Sequence, residues 1–126
     1  YTDAACNRVS KCAGLAWIID DAGSSSSHSA TDTFVASPLM AETLAFRNAM
    51  KSALHRGINY LLILSDSQTL ITLVTSKGRH LEIATLLNDI YLISPLFTNV
   101  KFKFIPRLDN SREDYVAEQA LLVCQT

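Results

Sequence analysis

Four acidic side chains stand at positions where a carboxylate is costly. Asp3 falls on or just after the first predicted strand, and Asp66 comes directly after an apolar strand. Glu42 and Asp114 each begin a helical stripe whose other members are apolar or small, which turns both carboxylates toward the core. A buried acid without a partner destabilises a fold, so these positions indicate a shared site.

The chemistry open to such a set of acids depends on a cation. The sequence supplies no matching set of basic residues, and Arg107 is the one that we assign to the neighbourhood. Oxygen ligands without an HxH or CxxC motif favour magnesium or manganese over zinc. Two such ions about 4 Å apart activate a water molecule and stabilise the leaving oxygen in phosphodiester cleavage. The four acids therefore predict metal-dependent phosphoryl transfer.

Three of the four acids also have an ordinary structural explanation. A helix N-terminus would stabilise Glu42 and Asp114, and Asp66 would serve as a cap or turn residue. Four acids without matching cations at one end of a sheet are better explained by a bound divalent metal than by separate coincidences. Ligand sites in open α/β sheets also lie beyond the carboxyl ends of the strands, where Asp66 is predicted.

The elements that must position these acids read in the order βββαβααβα. Three antiparallel strands followed by two strands reached through helices predict a mixed α/β sheet with helices on its faces. A Ser-rich tract from Gly23 to Ser29 predicts a mobile hairpin loop. The predicted strands are Tyr1–Ala5, Ala13–Asp20, Thr31–Ala36, Asn59–Leu64 and Val100–Ile105, and the predicted helices are Pro38–His55, one with an S-x-x-Q capping box at Ser65, Leu81–Ile93, and one capped by Asn110.

Composition bounds the class of protein. A chain of 126 residues with 48% apolar content fits one globular domain spanning residues 1–126. Eleven basic and twelve acidic side chains give a net charge of -1, which excludes a general positive field for polyanions. No apolar run approaches the roughly 20 residues of a membrane span. The opening Tyr-Thr-Asp, without Met or leader, suggests a domain excised from a longer protein.

Cysteine usage indicates the compartment. The three cysteines form no CxxC pair and cannot all pair within one chain, which argues against a secreted disulfide scaffold. We therefore expect an intracellular protein, nuclear or cytoplasmic.

Four short strings occur in chain order: TDAA from Thr2, AGLAW from Ala13, AETLA from Ala41 and SDSQ from Ser65. Together they resemble the ribonuclease H domain family. A fifth segment, IPRLDN from Ile105 followed by Glu113-Asp114, resembles the closing motif of its plant members, the reverse transcriptase-like domains attached to non-LTR retroelements. Each string is weak by itself, whereas the ordered set covers essentially the whole chain.

The resemblance implies a five-stranded ribonuclease H-like fold and cleavage of the RNA strand of RNA/DNA hybrids. It implies two Mg²⁺ ions, with Mn²⁺ as a substitute, held by Asp3, Glu42, Asp66 and Asp114. By the same resemblance, Asp3 is shared by both metals, Glu42 and Asp66 hold one, and Asp114 holds the other. A fused or associated reverse transcriptase is the expected protein partner.

The sequence departs from the family in its supporting residues. Glu113 replaces the small residue usual before the last acid, and the segment before the last helix has no His. No Lys/Arg-rich helix corresponds to the basic protrusion of some members, which predicts weak hybrid binding in isolation. Lys77, Arg79 and Arg107 are the candidates for contacting substrate phosphates.

Two other classes of function remain open. One is a catalytically idle ribonuclease H-like module that binds nucleic acid or packs against a polymerase, which the near-zero net charge and Glu113 favour. The other retains the metals but acts on another substrate, as resolvases, transposases and exonucleases do on this fold. The pattern from Arg107 to Asp114 argues against the second class.

Overall fold

The computed structural model of the chain describes residues 1–7, 9–21, 23–107, 117–118, 120–122 and 124. After β5, the described residues between 117 and 124 are helical, and we call them the C-terminal helical segment. The elements before it are β1 (Thr2–Asn7), β2 (Cys12–Asp21), β3 (Ser24–Asp32), α1 (Pro38–His55), β4 (Tyr60–Ser65), α2 (Gln68–Ser76), a 3-10 turn (Leu81–Ile83), α3 (Ala84–Ile93), a second 3-10 turn (Ser94–Leu96) and β5 (Asn99–Phe104).

The five strands form one mixed sheet in the order β3-β2-β1-β4-β5. The first three strands are antiparallel neighbours, and β4 is parallel to both β1 and β5. This confirms the predicted α/β class and the predicted addition of two strands through helices. The parallel pairs place the start of β1 beside the end of β4, because Thr2 lies opposite Ser65.

The contact between β1 and β4 is short. Thr2 opposite Ser65 is the one register pair that joins them among the described residues. Before Ser65, the inner edge of β4 faces a cavity of about 380 Å³ that the end of β2 also lines. Strands β1 and β4 are therefore paired only near the end of β4.

Helix α1 packs on one face of the sheet. Its N-cap is Ser37, whose hydroxyl accepts a hydrogen bond from the Met40 amide at 3.1 Å, and Pro38 occupies the first turn. One side of α1 is buried against the strands and against α2 and α3, which confirms the predicted helix. The larger of the two buried clusters to which α1 contributes consists of Phe46, Ala49, Met50, Ala53, Ile63, Leu70, Ile71, Val74, Ile83, Leu87, Ile90 and Phe97.

The C-terminal helical segment packs on β2 at Gly14. A Cβ atom added to Gly14 would overlap the Ala117 carbonyl oxygen and the Leu121 amide nitrogen. Ala117 is fully buried, and Ala120 is nearly so. Small residues on both elements thus allow a helix backbone to approach a strand closely. Among the described residues, no helix is long and apolar enough to cross a membrane.

The Ser-rich tract forms a strand rather than the predicted mobile loop. β3 begins at Ser24 and pairs with β2 from Asp21↔Ser24 to Ala13↔Asp32. The prediction was wrong because a neighbouring strand supplies hydrogen-bond partners for any non-proline backbone, whatever its side chains. The predicted strand at Thr31–Ala36 was also misplaced, because β3 ends at Asp32.

Helix α2 begins later than its predicted capping box. Ser65 still belongs to β4, and its hydroxyl accepts a hydrogen bond from the Ser67 amide at 3.1 Å. The N-cap is Ser67, which accepts from the Leu70 amide at 3.3 Å. Two serines two residues apart offer equivalent caps in sequence, and the strand pairing of Ser65 decides between them.

Candidate active site

Asp66 lies in the tight turn that connects β4 to α2. The Ser65 and Ser67 hydroxyls each accept a backbone N–H in this turn, which fixes the backbone on both sides of Asp66. The Asp66 side chain is only 8% exposed. The turn therefore presents a nearly buried carboxylate just beyond the carboxyl end of a parallel strand, where α/β sheets place ligand sites.

Glu42 on α1 reaches the same region. It hydrogen-bonds the Ser67 side chain and interacts electrostatically with Asp66 and Arg107. Burial raises the pKa of Glu42 above its ordinary value, and the nearby Asp66 carboxylate raises it further, while the Ser67 hydrogen bond and the Arg107 charge oppose the rise. Two carboxylates from different elements thus share one poorly solvated location.

Asp3 lies on β1 beside the end of β4. Its neighbour Thr2 is opposite Ser65 and donates its hydroxyl to the Leu64 carbonyl at 3.3 Å. Asp3 is 2% exposed. Adjacent parallel strands in this register bring Asp3 and Asp66 to the same level of the sheet.

Arg107 provides a cation at the site. Its Nε lies 3.8 Å from Oδ2 of Asp66, and its side chain is 68% exposed. Among the described residues, Oδ2 of Asp66 is buried and accepts no hydrogen bond. A solvent-exposed guanidinium at this distance is a weak partner, because water screens it. The negative charge of the site therefore exceeds what Arg107 neutralises.

Asp114, Glu113 and the predicted cap Asn110 lie outside the described residues. Within the described part of the chain, no three His, Cys, Asp or Glu side chains form a group that could hold a metal ion. Asp3, Glu42 and Asp66 therefore occupy one region without forming a closed metal cage by themselves.

The other two predicted substrate contacts lie elsewhere. Lys77 ends α2, at the end opposite to Ser67, and nine helical residues separate the two ends by about 13 Å. Lys77 and Arg79 line a cavity of about 660 Å³ with Tyr91, whose hydroxyl donates to the Gly78 carbonyl at 2.6 Å. The structure brings Arg107 to the acids and holds Lys77 and Arg79 apart from them.

Ser67 is the site residue that sequence reasoning missed. It caps α2 and hydrogen-bonds Glu42, so it links two of the acidic positions. Its place directly after Asp66 is the available signal, whereas the S-x-x-Q pattern predicts the cap at Ser65.

A family model described as reverse transcriptase-like matches residues 1–120. The chain belongs to the reverse transcriptase-like family. The match covers all strands, all described helices up to residue 120, and the segment that contains Asp114. A comparison with curated proteins finds no match for this reverse transcriptase-like domain.

Solved structures share the fold of this reverse transcriptase-like domain. Ribonuclease H1 from the halophilic archaeon Halobacterium salinarum has a TM-score of 0.87 at 22% identity, over 96% of this chain and 94% of that chain. The N-terminal ribonuclease H domain of a Mycobacterium tuberculosis protein has a TM-score of 0.82 at 17% identity, over 98% and 92%. LC11-RNase H1 in complex with an RNA/DNA hybrid has a TM-score of 0.82 at 20% identity, over 100% and 97%. These likenesses confirm the predicted ribonuclease H-like fold.

Proposed function

We propose that this domain is a metal-dependent endoribonuclease that hydrolyses the RNA strand of RNA/DNA hybrids. The observation that carries the proposal is the meeting of Glu42 and Asp66, with Asp3 on the adjacent strand, at the carboxyl end of β4. Sites in α/β sheets lie at such strand ends. The hybrid-bound ribonuclease H1 of the same fold supports the choice of substrate.

The described donor atoms suit a hard divalent cation. Carboxylate oxygens are the ligands that Mg²⁺ prefers, and Mn²⁺ accepts the same set. Glu42, whose pKa burial raises, lies near Asp66, and Oδ2 of Asp66 is buried without a hydrogen bond from the described residues and 3.8 Å from the exposed Arg107. We propose that Asp3, Glu42, Asp66 and Asp114 would hold two Mg²⁺ ions, which would supply an activated water molecule and stabilise the leaving 3′ oxygen.

The protein's own groups orient this set. The Ser67 hydroxyl holds Glu42, and the serine-braced turn holds Asp66, so both carboxylates are positioned before substrate arrives. Arg107 is exposed beside Asp66, and in this proposal it would contact a phosphate of the scissile strand. Lys77 and Arg79, at the far end of α2, would contact phosphates distant from the scissile bond.

Hydrolysis of an end-labelled RNA/DNA hybrid at low salt with Mg²⁺ tests the proposal. The native chain is expected to cut the RNA strand, leaving single-stranded RNA and duplex DNA intact. Asp66→Asn is expected to reduce cleavage to background, because the substitution removes a charged ligand and leaves the turn in place. Asp21→Asn removes the same charge from an exposed position at the end of β2 and is the matched control.

The idle-module interpretation is the alternative that one observation favours. The described residues hold no closed group of three metal-binding side chains. Absence of cleavage by a chain whose circular dichroism and cooperative unfolding show that it is folded would establish this alternative and overturn the nuclease proposal. Equal cleavage by the native chain and Asp66→Asn would assign the activity to a contaminant.

A further inference from the structure

Two cysteines far apart in sequence meet where the C-terminal helical segment packs on the sheet. The Cys12 thiol donates to the Cys124 carbonyl at 3.5 Å, and the Cys124 thiol donates to the Asp32 carbonyl at 3.5 Å. Asp32 is opposite Ala13 in the sheet, so both contacts lie at the first residues of β2. Cys12 is 8% exposed, and Cys124 is half-buried.

The two side chains also contact each other. The Cys124 side chain hydrogen-bonds that of Cys12, and this bond is the main reason that the pKa of the Cys124 thiol is raised. The close approach at Gly14, which is two residues after Cys12 on the same face of β2, brings the helix near enough for this contact.

Cys6 is separated from this pair. It lies on β1 opposite Ala13, and side chains alternate between the two faces, so Cys6 and Cys12 point to opposite faces of the sheet. The Cys6 thiol faces the Val35 carbonyl at 3.8 Å. The nearness of Cys6 and Cys12 in sequence thus suggests the wrong partner, because the sheet separates the two and brings in Cys124.

We propose that Cys12 and Cys124 are a modification site that forms an intrachain disulfide with a small-molecule disulfide such as oxidised glutathione as the oxidant. This bond covalently fastens the C-terminal helical segment to the start of β2. The inference rests on the contacts of the two thiols and is independent of the nuclease proposal.

The exchange proceeds in two balanced steps. The thiolate of the more exposed Cys124 attacks one sulfur of the oxidant, which releases one glutathione thiolate and leaves a mixed disulfide on Cys124. The Cys12 sulfur then attacks the Cys124 sulfur and displaces the second glutathione. Two electrons pass from the protein to the oxidant, and the two thiol protons are taken up by the released thiolates.

The bond would close a loop across a sequence separation of 112 residues. Long loops lose the most unfolded-state entropy when they are cross-linked. The unfolding midpoint of the oxidised chain is therefore expected to be higher than that of the reduced chain by roughly 10 °C.

The test treats the native chain with oxidised glutathione, blocks the remaining thiols by alkylation, and maps peptides by mass spectrometry without reduction. The expected result is a cross-linked peptide pair containing Cys12 and Cys124, with Cys6 alkylated. Thermal unfolding before and after dithiothreitol then measures the shift of the midpoint. Cys6→Ser is the matched control, and it should form the bond as the native chain does.

Two variants separate the pairwise bond from general oxidation. In Cys12→Ser, Cys124 should be recovered as the mixed disulfide with glutathione, and Cys124→Ser should leave Cys12 reduced. A Cys6–Cys12 bond, a disulfide between two chains, or recovery of Cys12 and Cys124 as free thiols in the native chain would overturn the proposal. Because the native chain gives the deciding map, poor folding of a variant does not affect the outcome.

Discussion

Glu42 holds its carboxylate in a position where the negative charge is unfavourable for the fold. Its carboxylate loses solvation on burial and lies near Asp66, and the Ser67 hydrogen bond and the Arg107 charge recover only part of that cost. Perturbed pKa values cluster at functional sites, where burial and like charges are combined.

The raised pKa of Glu42 predicts a pH dependence of stability in a chelator, where no metal is bound. Glu42 takes up its proton at a higher pH in the folded chain than in the unfolded chain, whose value is near the ordinary 4.5. Between the two values the folded state binds more protons, so the free energy of unfolding falls as pH rises through this window. Urea unfolding from pH 4 to pH 8 measures the slope.

Glu42→Gln provides the comparison for that measurement. The amide cannot ionise, so the variant should lack this part of the slope and should be more stable than the native chain at neutral pH. Identical pH profiles for the two chains would show that burial does not penalise the Glu42 charge.

Ser67 has two partners, and its removal should affect both. Ser67→Ala deletes the N-cap of α2, which costs about 1 kcal/mol and lowers the unfolding midpoint by about 4 °C. It also deletes a hydrogen bond that lowers the pKa of Glu42, so that pKa should rise further. Ser37→Ala, which removes the N-cap of α1, is the matched control for the loss of stability. A shift of the Glu42 pKa in both variants would contradict the assignment to Ser67.

At the scale of elements, the contact between β2 and the C-terminal helical segment depends on one missing side chain. Gly14→Ala would place a methyl group inside the helix backbone at Ala117 and Leu121. Overpacking of this kind costs about 1–3 kcal/mol, and backbone cannot move aside as a flexible side chain does. Cleavage should fall together with stability, because Asp114 precedes Ala117 by three residues in sequence.

Thr31→Ala is the control for the Gly14 prediction. Thr31 is exposed and lies opposite Gly14 on β3, so its truncation changes the same strand pair without adding volume under the helix. Thermal unfolding and hybrid cleavage should be nearly native. Equal losses in the two variants would indicate that strand pairing, rather than the helix contact, is the sensitive feature.

The elements with strong periodic or capping signals could be predicted from sequence, and those set by long-range pairing could not. Ser37-Pro38 predicts the start of α1, and an apolar run predicts β4. The structure confirms both elements. The serines of β3 carry no strand signal of their own, and their strand exists because β2 lies beside them. The meeting of Glu42 with Ser67 likewise depends on how α1 packs against β4 and α2. Asp114 lies outside the described residues, so its place in the site stays a prediction.

At the scale of the whole molecule, the proposed metals should stabilise the fold as well as support cleavage. A ligand that binds only the folded state adds about 2.7 kcal/mol at a concentration one hundred times its dissociation constant. We expect Mg²⁺ to raise the unfolding midpoint, and to do so more at pH 8 than at pH 5, because protonated carboxyls bind metal poorly.

Asp66→Asn should lose most of that metal-dependent shift, and Asp21→Asn should retain it. The measurement is a thermal unfolding series at increasing Mg²⁺ with ionic strength held constant by NaCl. The same shift in both variants would mean that Mg²⁺ acts on general surface charge, which is a nonspecific ionic effect.

The short contact between β1 and β4 has a consequence for amide hydrogen exchange. Neighbouring residues of a strand direct their backbone groups to opposite edges. The Asn59 and Ser65 carbonyls accept hydrogen bonds from the side of β5, whereas the Leu64 carbonyl accepts from Thr2 on the side of β1. The backbone N–H and C=O groups of odd-numbered β4 residues therefore point toward β5. Those of even-numbered residues point toward β1 or toward the cavity before Ser65.

Although β4 lies inside the sheet, its amides should exchange in an alternating pattern. The Leu61 and Ile63 amides, which point to the paired edge, should be protected for long periods, and the Leu62 amide, which points into the cavity, should exchange rapidly. Although β4 has a neighbour on both sides, the amides along its β1 side would thus exchange as those of an edge strand do. Solvent would therefore reach the middle of the sheet.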